Sequence, residues 1–257
     1  MFRWLTERRR THLLEVPFPD AWREILGDNV PAYLALDADH QQRLRDLTQV
    51  FVAEKHWEGA GGFIMTDEVR VTVAGTACLM ILGRDHALFA EVESIVVYPH
   101  AVVARQPQWA VYTSMRPVSD ELAVDGLAQR GGAVVLAWDG VTHGARHPHD
   151  GRNLVIHELA HKIDFLDGAA DGTPPLDRAG RRAWAAAFEP AFQRHVERAA
   201  RGEKSLLRDY AITNEAEYFA CATEVFFEQP GQLLEDLPDV YAQLAAFFGL
   251  DPAAGHA

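Results

Sequence analysis

The sequence contains only two cysteines, Cys78 and Cys221, among 257 residues. Both lie among apolar neighbours, so a disulfide framework is excluded and both are predicted to be small buried side chains. No apolar run approaches the ~20 residues that a membrane-spanning helix requires. The stretch after the basic start is also too short and too polar for a signal-peptide core. We therefore expect a protein of the reducing cytoplasm without a membrane partner.

Basic residues are scarce, with 24 lysines and arginines against 37 aspartates and glutamates and a formal net charge of −13. Nucleic-acid binding needs a basic face, so a direct nucleic-acid partner is excluded, whereas a protein partner is not. The start of the chain, residues 1–10, is locally basic. A solvated tail is the favoured interpretation of it, and a helix that contacts a membrane or partner is the alternative.

The most informative stretch is His157-Glu158-Leu159-Ala160-His161, which has the pattern H-E-x-x-H in an apolar frame. On a helix, residues i and i+4 lie on the same face, so both imidazoles can bind one metal ion. Two neutral imidazoles suit zinc, and Glu158 stands close enough to take a proton from a water held by that metal. The pattern is short enough to arise by chance, so the hypothesis depends on a third ligand elsewhere.

Candidates for the third ligand lie in residues 210–220, because catalytic zinc sites use three protein ligands and a water. Glu215 and Glu217 are the carboxylates there, and either on a second helix would complete a His₂Glu set. The alternative for Glu217 is structural, since Asn214 and Glu217 have the spacing of a helix capping box.

The same stretch resembles gluzincin metallopeptidases of the anthrax lethal factor kind. In that family the second glutamate of a similar string is the third zinc ligand, and a tyrosine seven residues earlier assists catalysis. The resemblance implies that Glu217 is the ligand and Tyr210 the assisting phenol. It also implies that Glu215 is a helix-start residue near the positive end of the helix dipole.

A wider resemblance, to the MtfA family of bacterial Mlc titration factor proteins, extends from about Cys78 to Phe227. The departures are mild: Tyr218 stands where the family often has Phe, and Ala137 where it often has Ser. The matching stretches are Ala77-Cys78-Leu79, Val97-Tyr98-Pro99, Val135-Leu136-Ala137-Trp138, Asp150-Gly151-Arg152-Asn153 before the H-E-x-x-H motif, Leu166-Asp167-Gly168-Ala169-Ala170-Asp171-Gly172, Glu217-Tyr218-Phe219-Ala220 and Glu224-Val225-Phe226-Phe227.

This resemblance implies a cytoplasmic zinc peptidase, of aminopeptidase type, with one zinc ion per chain on His157, His161 and Glu217. Glu158 is then the general base, Tyr210 assists, and a peptide is the substrate. It further implies a transcriptional repressor of the Mlc type as a partner, through which sugar-uptake genes are regulated.

A rival function is a regulatory binding protein that titrates a transcription factor and whose zinc is structural or catalytically idle. A purely structural site has no use for a general base, so the intact Glu158 favours the enzyme. Metal-dependent hydrolysis of a non-peptide substrate is a third, weaker alternative.

The predicted fold is α+β and zincin-like, a single metallopeptidase domain over residues 1–257. A more helical N-terminal part is expected at about 15–105 and the catalytic part at about 106–250. A small mixed sheet should contain strands 94–98 and 133–138, with the motif helix beneath it and the Glu217 helix crossing nearby.

Other elements follow from apolar periodicity and turn residues. Helices are predicted at 41–57, from about Asp67, at 180–200 with a break or kink at Pro190, and at 231–248. Residues 109–112 are predicted as a strand, 119–130 as a loop or short helix, and 141–152 as a histidine-rich loop. The glycine-rich residues 59–62 are predicted to follow a helix, with no strand before them.

Two carboxylates near the proposed ligands have two open interpretations. Asp164 and Glu224 each lie seven residues after a proposed ligand, and each could orient an imidazole. The alternative for Asp164 is an exposed helical side chain, and the alternative for Glu224 is a plain surface or salt-bridge residue. Strand 133–138 is either a plain core strand or the strand to which a peptide substrate adds.

The histidines at 143, 147 and 149 lie just before the motif helix. They either bind metal or belong to a solvated loop, and the loop is favoured because the spacing is irregular and includes Pro148. Either Asp150 or Asn153 is predicted to cap the motif helix.

Overall fold

The structure is a computed structural model that describes residues 2–100, 102–103, 123–124, 126–128 and 132–254. The α-helices in chain order are α1 Phe2–Leu14, α2 Asp20–Asn29, α3 Ala32–Ala35, α4 Ala38–Glu54, α5 Asp67–Leu79, α6 Trp138–Arg146, α7 Leu154–Asp164, α8 Arg178–Ala200, α9 Glu215–Glu228, α10 Pro230–Asp236 and α11 Pro238–Phe248. The strands are β1 His56–Gly59, β2 Val92–Tyr98, β3 Val102–Val103, β4 Ala123–Val124, β5 Gly126–Ala128 and β6 Gly132–Ala137. Short 3₁₀ helices cover His86–Phe89, Phe165–Asp167, Asp209–Ile212 and Pro252–Ala254.

A four-stranded sheet in the order β1-β2-β6-β5 forms the β layer. Strands β1, β2 and β6 are parallel, and β5 pairs with β6 in the antiparallel direction. Val96 in β2 lies opposite Val135 in β6, so the two predicted strands are the central pair. The predicted mixed sheet and the α+β, zincin-like fold class are confirmed.

Two strand predictions are wrong. Strand β1 directly precedes the glycine-rich residues 60–62, where no strand was expected. Strands β4 and β5 lie within residues 119–130, which were predicted as a loop or short helix. For strand β6 two interpretations were open, and the plain core strand is confirmed, because β2 pairs with one side of its main chain and β5 with the other. The predicted strand at 109–112 lies outside the described residues.

The N-terminus forms a helix that packs on α4 rather than a solvated tail. Arg10 donates from Nε and Nη2 to the two carboxylate oxygens of Glu54, each at 2.8 Å. Gln49 donates to the carbonyl of Leu13 at 2.9 Å. These contacts order the last turns of α1, whereas Trp4 and Leu5 remain exposed.

Three helix predictions also need correction. Residues 138–146 form α6 where a histidine-rich loop was expected, because Val141 and Gly144 give that segment a buried face. Helix α8 continues through Pro190 without a break, since buried aromatic residues on both sides hold it against the core. The C-terminal segment is two helices, α10 and α11, because Pro238 ends the first and begins the second.

The core is one buried cluster that includes residues from Leu26 to Leu250. Helix α5 lies deep within it, and α7 packs between the β5–β6 side of the sheet and α9. Leu159 and Ile163 of α7 are almost completely buried. The motif helix therefore sits in a rigid position between two layers.

The end of the C-terminal helix α11 packs against the turn at Gly83, in the first third of the chain. A Cβ atom at Gly83 would lie 2.3 Å from the carbonyl oxygen of Gly249, so only glycine allows this approach. Arg84 donates a hydrogen bond to the carbonyl of Phe247. No helix in the described part of the chain is long and apolar enough to cross a lipid bilayer.

Candidate metal centre

Helix α7 begins at an asparagine cap. The side-chain oxygen of Asn153 accepts the backbone N–H of Ile156 at 3.3 Å, so Asn153 is the cap, and Asp150 accepts the N–H of Arg152 in the preceding turn at 2.9 Å. This start places His157 and His161 one turn apart, with ring centroids 4.8 Å from each other. Both side chains point toward α9.

Helix α9 begins in the same way at Asn214, whose side chain accepts the backbone N–H of Glu217 at 2.9 Å. This is the first half of a capping box, but the second half is missing because the Glu217 side chain reaches the histidines of α7 instead. The backbone N–H of Glu217 therefore fits the capping interpretation. Its side chain fits the ligand interpretation. Glu215 is an exposed residue of the first helical turn.

Three ligand-type atoms converge between the two helices. Oε2 of Glu217 lies 3.1 Å from Nε2 of His157 and 3.3 Å from Nε2 of His161, and the two nitrogens are 3.2 Å apart. Ligand atoms about 2.0–2.1 Å from a tetrahedral zinc ion lie roughly 3.3 Å from one another. The trio thus has the separations of one face of a zinc tetrahedron.

The hydrogen bonding of the trio also fits a metal ion. Oε2 of Glu217 is buried, and it accepts no hydrogen bond of normal geometry among the described residues. Burial opposes ionisation of Glu217, but the two imidazoles hold its pKa well below the ordinary value. A buried, ionised oxygen beside two ring nitrogens is the donor set that a zinc ion satisfies.

Glu158 is buried on the same helix, with 4% of its surface exposed. Burial raises the pKa of its carboxyl, and the nearby His157 and His161 act in the opposite direction. A carboxylate with a raised pKa is a stronger proton acceptor than an ordinary one. Its neighbourhood therefore suits a general base better than a third metal ligand.

Tyr210 lies beside Glu217 on the 3₁₀ helix Asp209–Ile212. Its hydroxyl donates to Oε1 of Glu217 at 3.1 Å, and 45% of the residue is exposed. Desolvation and the charge of Glu217 raise its pKa above the ordinary value, so the phenol keeps its proton and remains a donor.

Glu224 supports His157 from the opposite side. Its Oε1 lies 2.8 Å from Nδ1 of His157, and its Oε2 accepts the backbone N–H of Asn153 at 2.6 Å. Only 1% of Glu224 is exposed, so the interpretation as a surface carboxylate is wrong. The interpretation as a salt-bridge residue is confirmed, because Oε1 of Glu224 lies 2.7 Å from Nη2 of Arg208. A ring whose Nδ1–H is held in this way presents Nε2 to a metal.

Asp164 has neither of its two expected roles. It is fully buried, and one oxygen accepts the backbone N–H of Thr173 at 2.9 Å, so it fixes the loop after α7. Its other oxygen has no hydrogen-bond partner among the described residues, and the imidazoles are not hydrogen bonded to it. Burial raises the pKa of Asp164 to about 7.

The histidines before α7 do not form a metal group. His143 pairs with Asp150 at 2.7 Å and stacks on His147 with centroids 4.4 Å apart, while His149 lies 3.2 Å from the carbonyl of Glu228. In the described part of the chain, only two groups bring three ligand-type atoms within 4.8 Å of one another: His157, His161 and Glu217, and His157, Cys221 and Glu224.

Four residues that sequence reasoning missed, or gave no role at the site, lie around this centre. Arg208 donates to Glu224 at 2.7 Å, and Glu228 accepts the N–H of Arg152 at 3.0 Å. The backbone of Gly172 lies against that of Glu215. Cys221 is a free thiol that is buried as predicted, and it adjoins His157 as well. The one available signal was the spacing of Glu224 and Glu228, two carboxylates one turn apart in the mostly apolar second half of α9.

Comparison with known proteins identifies the family. The sequence matches the glucose-regulated metallo-peptidase M90 family over residues 3–249. The chain belongs to the M90 family. The resemblance to the MtfA family is confirmed, because Mlc titration factor A of Edwardsiella ictaluri is 32% identical over 247 residues, which cover 92% of this chain and 88% of that protein.

Other relatives span a similar length. A protein of Synechocystis sp. is 31% identical over 253 residues, or 97% of this chain and 90% of the relative. Mlc titration factor A of Serratia proteamaculans is 27% identical over 248 residues, or 95% of this chain and 92% of that protein. As a member of the M90 family, the chain is a metallopeptidase, and this class depends on a bound metal ion.

Proposed function

We propose that the protein is a zinc-dependent peptidase whose single zinc ion is held by His157, His161 and Glu217. The observation that carries the proposal is the triangle of Nε2, Nε2 and Oε2 atoms, 3.1–3.3 Å on each side. The buried Glu158 beside it supports catalysis rather than a structural role, because a structural zinc site takes a fourth protein ligand and needs no base.

The chemistry follows from the side chains around the trio. A bound zinc ion would lower the pKa of a water molecule and polarise the scissile carbonyl. Glu158 takes a proton from the attacking water and returns it to the departing amine. The hydroxyl of Tyr210 donates a hydrogen bond to the developing oxyanion, and this contact is stronger in the transition state than in the ground state. Glu224 keeps the His157 ring oriented by accepting from Nδ1.

We further propose aminopeptidase-like hydrolysis of peptides, by a single domain over residues 1–257 that acts in the cytoplasm and binds neither nucleic acid nor membrane. The continuous core from Leu26 to Leu250 supports one domain, and the two free, buried cysteines are compatible with a reducing compartment. The net charge of −13 argues against contact with nucleic acid.

A second candidate function, binding of a transcriptional repressor of the Mlc type, is favoured by the name of the relatives, Mlc titration factor A. The same protein can do both, or it can be a non-catalytic binding protein that titrates a transcription factor. The second case makes Glu158 dispensable.

The decisive experiment compares zinc-loaded wild type, Glu158→Gln and the surface control Glu189→Gln on peptides and amino-acid anilides, with zinc content matched. We expect wild type and Glu189→Gln to be equally active and Glu158→Gln to be inactive with its zinc retained. Equal activity of all three would place the activity elsewhere. Inactivity of all three with one zinc bound would favour the binding protein.

A further inference from the structure

We propose that Arg208 is a positioning residue of the metal centre, which joins the turn that carries Tyr210 to the Glu224–His157 pair. This inference deepens the proposed function and rests on it. Sequence reasoning assigned no role to this residue. Its Nη2 lies 3.1 Å from Nδ1 of His157, the ring nitrogen opposite the Nε2 that faces the other proposed ligands.

The guanidinium of Arg208 holds Glu224 at two points. Nη2 lies 2.7 Å from Oε1 and Nη1 lies 3.3 Å from Oε2. The fork of an arginine fixes the plane of a carboxylate, which a single ammonium group cannot do. Because Oε1 of Glu224 is also 2.8 Å from Nδ1 of His157, the orientation of the carboxylate sets the orientation of that ring.

The burial of the pair makes the contact more than a surface ion pair. The side chain of Glu224 is 1% exposed and that of Arg208 is 26% exposed. A buried carboxylate that loses its cation is strongly destabilised, whereas exposed pairs contribute little. Removal of the guanidinium therefore leaves Glu224 without the contacts that fix its plane, and the His157 ring that Glu224 orients is then free to rotate.

The backbone of Arg208 starts the turn that carries Tyr210. Its carbonyl accepts the N–H of Ala211 at 3.0 Å, and Nε2 of His195 lies 3.3 Å from the same carbonyl. The guanidinium stands 5.7 Å from the centroid of the Tyr210 ring, within the range of a cation–π contact. One residue thus fixes both the support of His157 and the location of the catalytic phenol.

The test uses Arg208→Gln and Arg208→Lys, with Arg201→Gln as the control because Arg201 pairs with Glu203 on the exposed surface. Zinc affinity is measured by competition with a chelator, ligand geometry by the absorption spectrum of the Co²⁺-substituted protein, and catalysis by kcat and KM separately. We expect Arg208→Gln to bind zinc ~10- to 100-fold more weakly, with an altered cobalt spectrum. We expect kcat to fall while KM stays near the wild-type value, and Arg208→Lys to recover only part of the loss.

A double-mutant cycle identifies the route of the effect. In the Glu224→Gln background, Arg208→Gln should cause a much smaller further loss of zinc affinity than it causes alone. Full additivity, or a zinc affinity and cobalt spectrum of Arg208→Gln equal to those of Arg201→Gln, would overturn the proposal. If Arg208→Gln does not fold, the same criteria apply to Arg208→Lys. The metal measurements need no turnover, so absence of peptidase activity in wild type would count against the proposed function and not against this inference.

Discussion

Glu217 and Glu224, seven residues apart on α9, contact the two opposite nitrogens of a single imidazole. Oε2 of Glu217 lies 3.1 Å from Nε2 of His157, and Oε1 of Glu224 lies 2.8 Å from Nδ1. A spacing of seven residues puts both carboxylates on the same helix face, which is the face packed on α7. The packing of two helices therefore fixes both the position and the rotation of the ring.

Tyr210→Phe removes the hydroxyl that donates to Glu217 at 3.1 Å and leaves the ring in place. If this hydroxyl stabilises the oxyanion, kcat should fall by about 10²–10³-fold, with little change in KM or in zinc content. Steady-state kinetics with matched zinc loading provide the measurement. Tyr241→Phe is the control, because the Tyr241 hydroxyl donates to Asp251 and not to a proposed ligand, and it should leave kcat unchanged. An unchanged kcat in Tyr210→Phe would remove the phenol from the mechanism.

Gly172→Ala should damage the metal site from a distance. Gly172 has a φ of +73°, and a Cβ there would lie 2.3 Å from the backbone oxygen of Glu215, at the start of the helix that carries Glu217. Gly202→Ala is a matched control, because its φ is +67° but its Cβ would meet nothing within 4 Å among the described residues.

Both glycine variants should lose stability, roughly 1 kcal/mol from backbone strain. Only Gly172→Ala should also lose zinc affinity, because its clash displaces the start of α9. Thermal unfolding and chelator competition on both variants separate the two effects. Equal zinc affinity in the two variants would show that the Gly172 contact does not position Glu217.

Asp164→Asn should change the pH dependence of stability. The folded chain holds the Asp164 proton up to about pH 7, whereas the unfolded chain releases it near pH 4, so wild type loses stability as the pH rises between these values. Asparagine cannot ionise. The free energy of unfolding of the variant, relative to that of wild type, should therefore rise by on the order of 3 kcal/mol between pH 4 and pH 8.

Urea unfolding of the metal-free proteins at several pH values measures this difference. Asp28→Asn, an exposed substitution on α2, is the control, and its free energy of unfolding should equal that of wild type at every pH. A gap between Asp164→Asn and wild type that does not grow with pH would mean that the Asp164 carboxyl titrates at its ordinary value.

If zinc binds at the proposed ligands, removal of the metal should lower the melting temperature, because the ion would join α7 to α9 in the folded chain. At a free zinc concentration of 100 times Kd, the stabilisation is about 2.7 kcal/mol. The shift should shrink toward pH 5, where protons compete for the imidazoles. His161→Asn should show almost no zinc-dependent shift at neutral pH. A full shift in that variant would place the zinc site elsewhere.

The parts of the site that were predictable are those encoded by local spacing. The i, i+4 relation of His157 and His161 and the asparagine caps of α7 and α9 depend on neighbours in sequence. The reach of Glu217 to those histidines depends on how two distant helices pack, and only the resemblance to known families indicated it. Arg208 has no local pattern at all, since its role depends on contact with Glu224.

In the fold, too, the elements with a local sequence signal were predictable and those that depend on distant contacts were not. The central strands were predictable from β-branched runs, but β1 and β5 are so short that they exist only because β2 and β6 pair with them. The histidines of α6 favoured a loop in the sequence, although Val141 and Gly144 give this helix a buried side. The break before Pro238 had a clear sequence signal, because proline favours the first turn of a helix, and it was overlooked.

The contact of Gly83 with Gly249 has a consequence for synthesis of the protein. The first third of the chain cannot complete its packing until the last helix has left the ribosome, since Phe248 and Gly249 fill the space against Gly83. Helix α9, with Glu217, also emerges late. We therefore expect nascent chains to lack a competent zinc site, so that an unfinished peptidase is inactive toward the cell's own peptides.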